Sequence, residues 1–142
     1  MNEQVFLGFD VGLSKMGVAV GQGITKTAKP LKILSVRSGT PNWSEMEHLV
    51  AEWQPAGFVV GVPPFEDKKA PYVKALKKAV QELTEGLKQR FLKPVYLWDE
   101  HLSTRLAHSA IEENSFLRRK HSEHVDDIAA QIILESWLRE RT

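Results

Sequence analysis

The sequence predicts an α/β protein: a five-stranded mixed sheet with helices on both faces. Three observations carry that expectation. Short apolar runs rich in Val and Phe stop at Gly, Pro or Asp, as buried strands do. The first three runs are separated only by turns, which makes them antiparallel neighbours. The later runs alternate with segments whose apolar residues recur every three to four positions, which makes those strands parallel and connected by helices.

Each element follows from its residues. Val5 to Asp10 reads as a buried strand ending before Val11-Gly12, and Gly12-Leu13-Ser14 as the turn into a second strand, Met16 to Val20. Gly21 and Gly23 break that strand. Ala28 to Val36 alternates loosely and reads as a third strand, with Pro30 placing its start at an edge. Ser38 to Asn42 is a turn cluster, and Asn42 is a suitable cap for a helix over Trp43 to Gln54. Phe58 to Val62 is an apolar strand halted by Pro63-Pro64. Tyr72, Leu76, Val80, Leu83 and Leu87 mark an amphipathic helix. Pro94 to Trp98 is the fifth strand, Ser103 to Glu113 a helix, and Val125 to Leu138 a strongly periodic final helix. The order βββ-α-β-α-β-α-α is the ribonuclease H-like order, with the sheet covered on both sides.

Length and composition bound the function. The 142 residues fit one domain, taken here as 1–142, with 42% hydrophobic and 26% charged residues, an ordinary globular mixture. The absence of Cys removes disulfide scaffolds, thiolate zinc sites and cysteine nucleophiles, and it suits a reducing, cytoplasmic setting. No apolar run approaches the roughly 18–20 residues of a membrane span. The start, MNEQVFLGFDVG, lacks the basic and apolar regions of a signal peptide. A net charge of +1 rules out holding nucleic acid by bulk charge, so any such contact comes from local patches.

Several carboxylates are misplaced for a purely structural role. Asp10 ends the first strand; its structural alternative is to cap the turn before Gly12. Asp99 and Glu100 end the last strand, and ligands of α/β sheets gather at such carboxyl ends. Their side chains alternate, so at most one of the two faces a site shared with Asp10. Asp126, stepped at about 100° per residue, falls between Ile133 and Trp137 in the apolar stripe of the last helix. A carboxylate there is costly unless it is paired, caps the helix or binds a cation. Asp127 reads instead as a surface acid favoured by the helix dipole. Acids from two strand ends and one helix start can converge, and an oxygen-only site suits Mg²⁺ or Mn²⁺. Two such ions about 4 Å apart are the usual arrangement for phosphodiester cleavage.

The runs FDVGLSKMGVAVGQGIT, FVVGVP, DEHLST and HVDDIAAQIILESWL occur in that order. Together they resemble the YqgF (RuvX) family of ribonuclease H-like proteins, assigned to pre-16S rRNA processing or to Holliday junction resolution. The resemblance covers essentially the whole chain. It implies Asp10, Glu100 and Asp126 as the catalytic, metal-binding acids. There are departures. The family usually carries Arg after Asp-Glu, where this chain has His101, which grips phosphate only when protonated or serves as a proton donor. The loop after FVVGVP is Pro64 to Lys69 rather than a small, Gly-containing stretch. Lys15 stands where the family commonly has Arg or Ser, so a basic residue is retained.

Two basic clusters could touch nucleic acid. Lys68, Lys69, Lys74, Lys77 and Lys78 surround the start of the second helix, where a solvated face is the plain alternative. Arg118, Arg119 and Lys120 immediately precede the Asp126 region and are placed to hold a phosphate backbone. Trp43, Trp53, Trp98 and Trp137 lie in apolar patterns and read as core; Phe65 is a candidate for base stacking. The favoured reading is a Mg²⁺- or Mn²⁺-dependent nuclease on structured nucleic acid, with rRNA precursor ahead of branched DNA, working as a monomer or weak homodimer. The competing readings are a dimeric junction resolvase, a silent RNA-binding module of the same fold, and an actin- or sugar-kinase-type ATPase. The last also opens on Asp-x-Gly and a hairpin, but it needs two such domains.

Overall fold

The first three apolar runs form an antiparallel meander: β1 (Val5–Asp10), β2 (Lys15–Gln22) and β3 (Thr27–Arg37). The computed structural model describes residues 4–62, 71–99 and 125–141. The helix expected over Ser103 to Glu113 lies outside the described residues. β2 runs through Gly21 to Gln22 and so outlasts the glycine expected to break it. Pro30 sits on the outer edge of β3, as expected, and a bulge falls beside it. Ala19 pairs with Pro30 and Val18 with Lys32, leaving Leu31 as the extra residue. The bulge turns Leu31 and Lys32 to the same side. Leu31 packs on the core, and Lys32 reaches Glu45 at 3.3 Å.

The turn cluster at Ser38 contains a sixth strand. β4 (Thr40–Pro41) pairs back on Val36 and Arg37 through a two-residue loop. Ser38 (φ 51°) and Gly39 (φ 83°) both take positive φ, the pattern of a type I′ hairpin turn. β5 (Gly57–Val62) lies parallel to β1, and β6 (Val95–Asp99) parallel to β5. The sheet order is β4-β3-β2-β1-β5-β6, mixed as expected but with six strands rather than five.

Helices cover both faces. α1 (Trp43–Trp53) starts where the Asn42 side chain accepts the Ser44 and Glu45 N–H groups at 3.0 and 3.2 Å. α2 (Pro71–Phe91) begins on a proline, whose missing N–H is no loss at a first helical position. These two helices pack over Leu7, Phe9, Val18, Phe58 and Val60. α3 (Val125–Glu140) covers the other face, over Phe6, Ala19 and Val59. Trp137 stands between Phe6 and Tyr96, with ring centroids 5.0 and 4.7 Å away, and the Arg141 guanidinium lies 4.7 Å from its ring. Gly8 lets α3 approach closely: a Cβ there would stand 2.8 Å from Leu134 Cβ. All four tryptophans pack against the two cores, as their apolar settings predict.

Candidate active site

Strand alternation fixes the face on which each acid stands. Along β1, Leu7 and Phe9 belong to the α1/α2 core, while Phe6 packs in the α3 core and Gly8 lies under α3. Half-buried Asp10 therefore points to the α3 face. The register of α3 over β1 then locates it along the helix. Phe6 meets Trp137, and Gly8 lies beneath Ala130 and Leu134. Two strand residues advance about 6.6 Å, the length of four to five helical residues. One more step brings Asp10 level with the first turn of α3, where the backbone of Asp126 sits. The residues four, seven and eleven positions after Asp126 (Ala130, Ile133 and Trp137) are buried against the sheet.

The same reasoning orients Asp99 at the end of β6. Tyr96 and Trp98 pack against the α3 core and Val95 against the opposite one. Asp99, exposed, follows Val95 and Leu97 in alternation and points away from the face of Asp10. Glu100 lies outside the described residues, as do His101, Arg118, Arg119, Lys120, Phe65, Lys68 and Lys69. Lys74 and Lys78 are exposed on α2, and Lys78 pairs with Glu82 at 3.9 Å.

Lys15 is exposed at the start of β2 and pairs in register with Ser35 of β3. Asp10 pairs with Gly17, two residues away on the same side of β2. Two residues that sequence reasoning passed over share this face. Leu34 and Val36 pack on the α1/α2 core, so Ser35 and Arg37 between and after them point the other way, with Asp10 and Lys15. Only the register after the bulge reveals this. Among the described residues no group of three or more His, Cys, Asp or Glu gathers. Asp10 is the described carboxylate on the α3 side of this strand end.

A three-strand meander continued by parallel strands, with helices on both faces and an acid ending the first strand, is the architecture of ribonuclease H-like proteins. Residues 4–140 match the family model described as RuvX, Holliday junction resolvase. The chain belongs to the RuvX family. A Legionella pneumophila protein named as a candidate pre-16S rRNA nuclease is 37% identical over 140 residues, 99% of each chain. One of the same name from Hydrogenovibrio crunogenus is 38% identical over 136 residues, covering 96% of this chain and 94% of the relative. Among solved structures, the fowlpox virus Holliday junction resolvase superposes with a TM-score of 0.56 at 15% identity, covering 98% of this chain and all of the other. Thermus thermophilus RuvC in complex with a Holliday junction substrate gives 0.55 at 20%, covering 97% and 95%. These two likenesses establish the fold.

Proposed function

We propose that the chain is a cytoplasmic, divalent-metal-dependent nuclease, one domain over residues 1–142, that cleaves structured RNA in maturation of the 16S rRNA precursor. The observation that carries this is the placing of Asp10 on the α3 face, level with the helical turn that contains Asp126. Relatives 36–38% identical over nearly the whole chain are named for that role.

The donor set fits a hard cation. Asp10, Asp126 and Glu100 offer only oxygen, and the chain contains no thiol. Asp10 is half-buried at the end of β1, so its carboxylate is partly desolvated yet in part exposed to solvent. Mg²⁺ or Mn²⁺ bound there would supply an activated water and stabilise the leaving oxygen. The chain's own residues would do the rest. The three acids hold and orient the site. Lys15, with Arg118, Arg119 and Lys120, grips the phosphate backbone on either side of the scissile bond. His101 donates a proton to the departing oxygen or, when charged, holds a phosphate.

The family description favours a second reading, resolution of four-way DNA junctions. That requires a symmetric dimer, because two paired nicks need two sites. One experiment addresses both. The parent protein and its Asp10→Asn, Glu100→Gln and Asp126→Asn variants are incubated with Mg²⁺ or Mn²⁺ on a precursor 16S RNA fragment and on a four-way DNA junction. The expected result is RNA cleavage that falls at least about a hundredfold in each variant. Paired nicking of the junction by a sedimenting dimer would favour the resolvase. Variants that cut as well as the parent would overturn the site, and RNA binding without cutting would mark a silent binding module.

A further inference from the structure

We propose that the β3–β4 hairpin is a second phosphate-binding position for the substrate strand, centred on Arg37 and supported by Lys15, Ser35 and Thr40. The proposal rests on the nuclease reading of the Asp10 face and adds residues to it. Register places all of them on that face. Lys15 pairs with Ser35, and Arg37 with Thr40, and directly paired residues share a side of the sheet. α3 covers the far end of β2 and β3, where Gln131 Nε2 donates to the Ala28 carbonyl at 3.0 Å and the Ala28 N–H donates to Glu135 at 3.1 Å. At the near end Lys15, Ser35, Arg37 and Thr40 are all exposed.

Charge points the same way. Lys32, Lys78, Arg90 and Arg139 are each matched with a glutamate; among the described residues Lys15 and Arg37 have no acidic partner, nor do Lys26, Lys74 and Lys88, but Lys15 and Arg37 are the two that stand at the Asp10 end of the sheet. A guanidinium binds phosphate with two parallel N–H donors, and the neighbouring hydroxyls of Ser35 and Thr40 add further donors. The residues from Ser35 to Ser38 and from Thr40 to Asn42 line a groove beside them.

The hairpin is also fixed in place. The Gly39 N–H donates to the Leu13 carbonyl at 3.2 Å and the Val36 N–H to the Ser14 carbonyl at 2.9 Å, tying it to the turn that follows Asp10. Ser38 keeps a left-handed conformation (φ 51°) that costs energy for a residue with a side chain. Strain held in a rigid turn next to a site is a mark of positioning. From strand spacing and rise, Arg37 stands roughly 16 Å from Asp10. That is too far to touch the reacting phosphate and suited to one further along the same strand. Arg37 is therefore a positioning residue that sets where the strand crosses the acids, without reading bases.

The test measures binding of the full chain to a fluorescent precursor 16S stem RNA, in EDTA to prevent cleavage, as a function of KCl. Arg37→Ala should weaken binding three- to tenfold and lower the slope of log K against log[salt] by about one. Arg37→Lys should restore the slope but only part of the affinity, because the paired donors are lost. Lys88→Ala on the last turn of α2 makes the same change in net charge and should alter neither. With metal present, Arg37→Ala should raise KM several-fold and leave kcat within about twofold. An Arg37→Ala protein that binds like the parent, or a Lys88→Ala protein that loses as much, overturns the proposal. If the parent still cuts RNA and Asp10→Asn does not, the nuclease reading survives that failure. A parent that neither binds nor cuts would sink both.

Discussion

Asp10 owes its position to parity within a six-residue strand. One residue of slip would send it into the α1/α2 core and Phe9 into the site. Parity along β6 also turns Asp99 away from the face of Asp10, so its conservative variant should behave differently from that of the proposed site acid Glu100. Asp99→Asn should keep most cleavage, while Glu100→Gln should lose it about as fully as Asp10→Asn, by rates measured on one RNA in parallel. Equal losses in both would mean that the alternation breaks at the end of β6. The sequence told much of this. The strand-end position of Asp10 and the stripe position of Asp126 are both legible in apolar periodicity. The choice of Glu100 over Asp99 was not, and came from resemblance to a family. Ser35 and Arg37 went unnoticed because a bulge at Leu31 shifts the parity of β3, and no pattern of side chains announces which residue a bulge skips.

The strands and helices show where local rules decide and where packing does. Asn42, Pro71 and the alternating apolar runs mark their elements plainly, and boundaries fall within a few residues of those expected. Phe91 extends α2 beyond the last residue of the expected stripe because its ring packs against Phe58, at 5.7 Å. β4 was hidden because two residues carry no periodicity. Its turn gives a test of the hairpin's geometry. Ser38→Gly removes the side chain that disfavours a positive φ and should stabilise the protein by about 0.5–1 kcal/mol in denaturant unfolding. Gly39→Ala should cost about 1–2 kcal/mol or more, since its φ is 83° and its Cβ would stand 3.2 Å from Ala79 Cβ. The docking of α3 is similarly exposed to one methyl group. Gly8→Ala should cost about 1–3 kcal/mol and also slow cleavage, because lifting α3 moves its first turn away from Asp10. Loss of stability with an unchanged rate would separate docking from the site.

Across the molecule, two apolar cores form on opposite faces of one sheet, and among the described residues neither contains a group that needs an ion. The fold should therefore persist without metal. Far-UV circular dichroism in EDTA is expected to match that in Mg²⁺, while cleavage is abolished. Millimolar Mg²⁺ should still raise Tm by a few degrees in the parent, since an ion bound only to the folded state stabilises it. Asp10→Asn should lose that shift, and a shift that survives would place the ion elsewhere. Fold class was readable at this scale because every described strand and helix except the two-residue β4 has its own apolar signature. The approach of the first turn of α3 to the Asp10 end of β1 was not, since it depends on how α3 crosses β1 and on the small residue, Gly8, that lets the two pack closely.

The helix that closes the α3 face follows all six strands in the chain. During synthesis the meander and the α1/α2 side can assemble first, since domains grow from the N-terminal end. Until the last helix emerges, Phe6, Ala19 and Val59 lack the apolar cover that α3 gives them in the complete fold. An unfinished chain therefore presents an apolar sheet face to solvent, and docking of its last helix is the step that closes the fold.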